Sequence, residues 1–370
     1  MTELAAELAA ATAAMVARFP VDLRTPATEA DPTLWMALVD AGFTALDVPE
    51  PAGGQGAELA DALAVLDTLT EAGAITPYAE HALLAAWVAG RVDHSLDGLS
   101  ATVAIVDEAT VLGDGERIRL SGTTIGVPYA ASADVIVILA STTDGAVIAV
   151  VDRREAGLRV EPGTDLMGLD YSDIVFDDAE VTFSARSPVT VDELRTRVAL
   201  VYAVTLAAAA RAVRERTIRY AAERVQFGRP LTKFQAIQQR LAHMAAQSTM
   251  METAARAATD AASEDIVTAR DAIAAAKIVT SRSAHDVAAA AHQIHGAIGF
   301  TAEHSLGRFT TALWTWRDRY GTEHEWSEQL AARILDDGLD PWHVITGASD
   351  PVAQSTGTGA PLAPHFCNVF

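Results

Sequence analysis

The sequence predicts an α+β chain in three blocks: helices, then a β-rich block, then a second helical block that packs as a bundle. Three observations predict it. The hydrophobic period changes from helical to strand-like near residue 100 and back again near residue 190. Between those points, short β-rich runs are punctuated by Gly-Asp-Gly at 113–115 and Thr-Asp-Gly at 143–145, which are good hairpin turns. Beyond them, Phe234, Ile237, Leu241, Met244, Ser248 and Met251 are spaced alternately by three and four, the seam of packed antiparallel helices.

The first block runs over 1–98. Its opening, MTELAAELAAATAAMVARF, has early acidic residues and no basic start, so it reads as an amphipathic helix and not as a signal peptide. In Asp31–Phe43, Asp31 is placed to cap a helix with Pro32 in its first turn; Trp35, Leu38 and Val39 share a face, and Gly42 ends it. The stretch VPEPAGGQGAE is a turn region, and helices follow at about 57–72 and 78–92. The β block, 99–187, contains TVAIVDE, RIRLSGT, ADVIVILAS, GAVIAVVD and YSDIVFDDAEV and predicts an antiparallel sandwich or barrel. Its central runs are apolar without alternation, which predicts burial on both faces. The bundle covers 188–336, where Ile266, Ala269, Ile273, Ala276, Thr280, Ala284, Val287, Ala291 and Ile294 continue the seam on a further helix. The tail, 337–370, ends in a stretch rich in Ser, Thr, Gly and Pro and reads as loosely held.

Composition narrows the function. Of 370 residues 50% are hydrophobic, enough for a large core and incompatible with global disorder. The net charge of −22 sets the chain against phosphate backbones and anionic lipid, which argues against nucleic-acid and membrane-surface partners but leaves room for one local phosphate site. The single cysteine, Cys367, allows no intrachain disulfide and no cysteine-rich metal centre, as expected of a cytoplasmic protein. No run of 18 uncharged apolar residues occurs; Val198–Ala210 comes nearest, so no membrane span is expected.

Four segments resemble the acyl-CoA dehydrogenase family. Leu34–Ala57, LWMALVDAGFTALDVPEPAGGQGA, is similar to its N-terminal helix leading into a Pro-Glu and Gly-Gly turn. Arg219–Met244, RYAAERVQFGRPLTKFQAIQQRLAHM, matches its Arg-x-x-Phe-Gly-x-Pro…Phe-Gln-x-x-Gln segment nearly residue for residue. Ala290–His304, AAHQIHGAIGFTAEH, resembles its Gln-x-x-Gly-Gly-x-Gly-Phe segment, and Arg319–Trp326, RYGTEHEW, the end of the following helix. The block order matches over nearly the whole chain. The resemblance implies an N-terminal helical domain, a middle β-barrel and a C-terminal four-helix bundle. It also implies FAD held between subunits and desaturation of an acyl-CoA thioester between Cα and Cβ. By the same resemblance Arg224 binds the FAD pyrophosphate of a neighbouring subunit, a contact that suits a guanidinium fork. Phe227 and Gln235 match its neighbours; Gln293, Ile294, His295, Gly296 and Ala297 match the adenosine contacts, with Ala297 in place of the usual second Gly; Gly321 and Thr322 match a Gly-Thr pair on the flavin's adenosine side.

The departures are as informative. Desaturation needs a carboxylate with a raised pKa to take the α-proton while flavin N5 accepts the β-hydride. In most of the family that Glu precedes the Gly-Thr; here the position is Tyr320, a poor base with an ordinary pKa of about 10. A minority places it at the start of the bundle's first helix, but Thr196–Ala199 contains Arg197 and no carboxylate, the nearest being Glu193. The Thr-Glu-Pro…Gly-Ser-Asp loop and Trp-Ile-Thr strand that bind the flavin ring are missing. The chain therefore resembles the base-less subunit of heteromeric (α2β2) bacterial acyl-CoA dehydrogenases, some of which act on steroid side chains. The implied partners are an acyl-CoA, a second such chain carrying the catalytic Glu, and an electron-transfer flavoprotein-type acceptor. No residue of this chain is assigned to catalysis. Two alternatives stand beside this reading: a self-sufficient homomer with its base relocated to Glu323, and a non-catalytic scaffold of the same fold.

Plainer readings bound the rest. Outside its motif Arg224 would be a helix C-terminal cation. His285, His292, His295, His304 and His324 invite a metal, with His292 and His295 at i, i+3, but no carboxylate or cysteine completes a set at familiar spacing and none is assigned. Trp314, Trp316 and Trp326 read as packing residues. Gly53-Gly54 and the Gly-Asp-Gly turn lack the context of a phosphate loop.

Overall fold

The computed structural model describes residues 2–24, 29–96, 98–112, 118–301, 303–336 and 338–342. The turn expected at 113–115, nearly all of the 337–370 segment and Cys367 lie outside the described residues. Helix α1 (Glu3–Arg18) is capped by Thr2 and buries Ala5, Leu8 and Thr12. Helix α2 (Pro32–Asp40) starts as its sequence predicts. The Asp31 carboxylate accepts from the amides of Thr33 and Leu34 at 2.9 and 3.0 Å, and Gly42 follows at φ +74°. Helix α3 (Leu59–Ala72) packs on α1. The helix expected at 78–92 opens with a π-helical stretch, Ala79–Ala85, that continues as α4 (Ala86–Gly90); all seven π-helical residues are buried, Glu80 and His81 included. Wide turns of this kind collect at functional sites.

The β block is two four-stranded sheets. One orders β1 (Ala101–Val106), β4 (Val135–Thr142), β5 (Gly145–Asp152) and β8 (Phe183–Arg186). The other orders β2 (Thr110–Leu112), β3 (Arg119–Pro128), β7 (Tyr171–Glu180) and β6 (Leu158–Glu161). The β4–β5 hairpin turns with Thr142 opposite Gly145, as Thr-Asp-Gly predicts. Val103, Val137, Leu139 and Ile148 of the first sheet pack on the helices, while Ala104, Ile136, Ile138 and Val151 pack on Leu120, Ile174 and Phe176 of the second. Coverage of both faces is why ADVIVILAS is apolar throughout. Two expectations are corrected. The block is not wholly antiparallel: β1 pairs parallel with β4, because the chain lays down β2 and β3 in the other sheet before returning. Among the described residues no strand of one sheet pairs with the other, so the arrangement is a two-sheet stack and not a closed barrel.

Helix α5 (Val191–Glu223) is the spine of the second helical block. Its length and composition would suffice to cross a bilayer, but 94% of that apolar stretch is buried inside the protein. It packs against α3, α6 (Gln235–Glu264), α7 (Arg270–His295) and α8 (Leu306–Trp316), and α9 (Glu323–Leu335) packs on α7. The seam residues Met244, Ser248 and Met251 are buried, as are Ile273, Ala276, Thr280, Ala284, Val287, Ala291 and Ile294. The Ala-rich composition of α5 to α7 lets these backbones approach closely.

Candidate cofactor site

The end of α5 carries the first candidate residues. Arg224 leaves helical geometry (φ −73°, ψ 117°) with its amide still donating to the Tyr220 carbonyl at 2.8 Å. A small hairpin follows: β9 (Val225–Gln226) pairs antiparallel with β10 (Arg229–Pro230). Its two-residue turn, Phe227-Gly228, has φ of +50° and +78°, the positive pair of a type I′ turn. An aromatic residue there is strained, and Phe227 is 93% exposed. Phe234 meets it edge-on at 6.2 Å, and the Arg229 guanidinium lies 4.2 Å over the Phe234 ring. Gln235 opens α6, exposed, and the exposed Arg224 guanidinium has no partner among the described residues.

The end of α7 carries the second group. Gly296 adopts φ +67°, ψ −146°, a conformation close to the region only glycine occupies, with open space where a Cβ would stand. Gln293, Gly296 and Ala297 are exposed, whereas Ile294 and His295 point into the core. His295 stacks on Tyr220 at 4.2 Å and its Nδ1–H donates to the Ala291 carbonyl at 2.8 Å. Burial pushes its pKa down to about 4, so the ring is neutral. The Tyr220 hydroxyl donates to the His295 carbonyl at 3.2 Å. These contacts tie the end of α5 to the end of α7. Arg224, Phe227, Gln235, Gln293, Gly296 and Ala297 are exposed at these two ends, and Ile294 and His295 lie beneath.

Gly321 and Thr322 are elsewhere. Thr322 caps α9 in a reciprocal box: the Glu325 carboxylate accepts its amide at 2.7 Å, and its hydroxyl accepts from the Glu325 amide at 3.3 Å. Gly321 lines a cavity of about 1070 Å³ bounded by β1, β3, the start of α5 and the start of α9, and none of the residues at the ends of α5 and α7 lines it. Asp107, Glu108, Asp192, Glu325 and Glu328 face this cavity against Arg195 and Arg270. Arg195 is already held by Asp107 at 2.6 and 2.7 Å. So anionic a lining does not fit a diphosphate; the exposed guanidinium and glycine at the bundle end do.

Tyr320 also lines this cavity, at φ +53°. Its hydroxyl is buried with no hydrogen-bond partner, and burial pushes its pKa far above the usual value for a phenol. It cannot act as a base near neutrality. Beside it, at 5.7 Å between rings, Tyr202 donates to the Glu80 carboxylate at 2.5 Å and accepts from Arg319 at 3.0 Å. Arg319 also pairs with Asp165 and lies 3.5 Å from Glu80. The void against this cluster holds about 40 Å³, room for a water or so and not for an acyl chain. Sequence reasoning missed the cluster; its signal was a Glu inside the apolar run YAEHALLAAWVAG. At the alternative base position, Arg197 pairs with buried Asp47, donates to the Leu83 carbonyl at 2.7 Å and lies 4.3 Å over Trp87, which is a packing role. Glu323 does not line the large cavity; its carboxylate lies 4.0 Å from Arg317.

The family model for the acyl-CoA dehydrogenase C-terminal domain matches residues 195–334. Acyl-CoA dehydrogenase FadE27 of Mycobacterium tuberculosis is 30% identical over 310 residues, covering 76% of this chain and 82% of the relative. The chain belongs to the acyl-CoA dehydrogenase family. The crystal structure of the ChsE4-ChsE5 complex from Mycobacterium tuberculosis contains a chain similar to it, with a TM-score of 0.82 at 25% identity over 90% of this chain and 98% of that one. A variant of the Tcur3481-Tcur3483 steroid ACAD shares the fold at a TM-score of 0.80 and 23% identity, covering 90% and 98%. Tyr320, the residue before Gly321, brings a buried phenol hydroxyl and no carboxylate to this position.

Proposed function

We propose that this chain is the base-less subunit of a heteromeric acyl-CoA dehydrogenase. It lends an FAD pyrophosphate and adenosine half-site to a partner chain that houses the flavin ring and the catalytic Glu. Arg224 grips the diphosphate with its fork, Phe227 and Gln235 flank it, and Gln293, Gly296 and Ala297 meet the adenosine over the Ile294 and His295 support. Thr322 serves in this chain as the cap of α9, and Gly321 precedes it. Bound FAD supplies the hydride acceptor for α,β-desaturation; nothing in this chain removes the α-proton. The substrate is a bulky acyl-CoA thioester of the steroid side-chain kind, with an electron-transfer flavoprotein-type acceptor. The complex works in the cytoplasm as a heterotetramer.

The observation that carries this reading is Tyr320, whose buried hydroxyl has no hydrogen-bond partner where the resemblance expects a base, beside the closed Glu80–Tyr202–Arg319–Asp165 cluster. The likeness to a chain of the ChsE4-ChsE5 complex supports a partner. The homomer with a relocated base is not favoured, because Glu323 stands outside the cavity. The test is to purify the chain alone and with a second acyl-CoA dehydrogenase-like chain, and to read flavin absorbance per chain and desaturation of acyl-CoA. Expected are a colourless, inactive single chain and an active complex with one FAD per two chains. Arg224→Ala should cut the flavin retained by the complex by about 10-fold or more, the scale of a lost charge-assisted pair. A yellow, active homomer refutes the proposal; unchanged flavin in the Arg224→Ala complex favours the scaffold.

A further inference from the structure

We infer that a second cavity at the bundle end is a ligand site, built for a small planar aromatic anion. It is a cavity of about 340 Å³ between α7, α8 and the segments around Leu23 and Met167, lined by Arg24, His292, Phe300, Arg308, Thr311 and Trp314 among others. It shares no lining residue with the large cavity or with the cofactor half-site, so the inference does not depend on the FAD reading.

Two features point to this ligand class. The first is an open aromatic stack. His292 lies parallel between Phe300, 4.2 Å away at 23°, and Trp314, 5.4 Å away at 7°. Phe300 is 72% exposed, so one face is free to take a further planar ring. His292 itself is 6% exposed, and its Nε2–H donates to the buried Thr310 hydroxyl at 3.0 Å. Its Nδ1 is buried with no hydrogen-bond partner among the described residues. The second feature is charge. The cavity is lined by two arginines and three threonines, and no Asp or Glu lines it among the described residues, on a chain whose net charge is −22. Asp22 stands beside both arginines. Its carboxylate accepts the Arg24 backbone amide at 3.0 Å and its carbonyl accepts from the Arg308 guanidinium at 3.1 Å, which holds Arg308 at the rim. Guanidinium groups beside hydroxyls select a carboxylate or phosphate, and the volume suits a molecule of one or two rings.

The probes are phenyl phosphate and 4-hydroxybenzoate, with phenol and 4-hydroxybenzamide as neutral counterparts, titrated into the full chain by calorimetry and saturation-transfer NMR. At least one anion should bind saturably below millimolar, with its neutral counterpart about 10-fold weaker; which anion binds identifies the anionic group. Arg24→Ala should weaken binding several-fold and Thr311→Trp, which fills the cavity, should abolish it. Circular dichroism checks that both variants are folded. Arg224→Ala should leave binding unchanged. Absence of saturable binding by both anions, or equal binding of the neutral compounds, overturns the inference. So does binding that survives Thr311→Trp or is lost in Arg224→Ala, because the ligand then sits elsewhere.

Discussion

Arg319 is the cation of the closed Glu80–Tyr202–Asp165 cluster beside Tyr320, and replacing it with methionine tests what that cluster is for. The guanidinium satisfies the Tyr202 hydroxyl at 3.0 Å, pairs with Asp165 and lies 3.5 Å from Glu80; all of these side chains are nearly inaccessible. Methionine keeps the apolar stem and most of the volume but leaves two carboxylates buried without a counter-charge. Breaking a buried pair in this way costs about 3–5 kcal/mol, which lowers the melting temperature of a chain this long by roughly 4–6 °C. The pH dependence carries a sign. In the variant the buried carboxylates have pKa values raised above their unfolded values. The folded state then takes up protons more readily, so the deficit is small at low pH, grows as pH rises through the ordinary carboxylate range and is complete above the raised values. Urea unfolding at pH 5 and pH 8 reads it. Adding Glu80→Gln and Asp165→Asn should recover most of the loss at pH 8. A single variant within about 1 kcal/mol of wild type at both pH values, or a triple variant no better than the single one, would refute the reasoning.

Two further predictions follow from buried groups. His81 accepts the Ala101 amide at Nδ1 over 3.0 Å, and burial lowers its pKa from 6.5 to about 4, so it folds neutral. Its contribution is fully present above pH 6.5 and is lost as pH falls from 6.5 towards 4, by about 3 kcal/mol in all; in His81→Gln the stability curve should flatten across that window, and an unchanged slope counts against it. Tyr320→Glu should not make the single chain a dehydrogenase, because the neighbouring cavity is already anionic and the Glu80–Arg319 cluster fills the adjoining space; it should destabilise the fold, and any desaturation by the chain alone would disprove this.

Much of this protein is written locally. Asp31 and Pro32 start α2, Thr-Asp-Gly turns β4 into β5, and the three-four spacing from Met244 to Met251 buries one side of α6, because caps, turns and amphipathic faces depend on residues a few positions apart. The Arg224–Gln235 and Gln293–Ala297 segments are legible for the same reason, as contiguous motifs on a helix end and a turn. Other features needed the folded chain. Nothing local sets β1 parallel beside β4, since register between distant strands is decided by which faces the two sheets and the helices must cover together. Nor does the sequence reveal that Glu80, Asp165, Tyr202 and Arg319, from four separate elements, converge beside Tyr320. A buried charge is tolerated only where partners arrive from elsewhere in the fold. Periodicity and motif thus determined the elements and the motif-bearing ends of α5 and α7; long-range packing alone decided that a closed, paired cluster stands beside Tyr320.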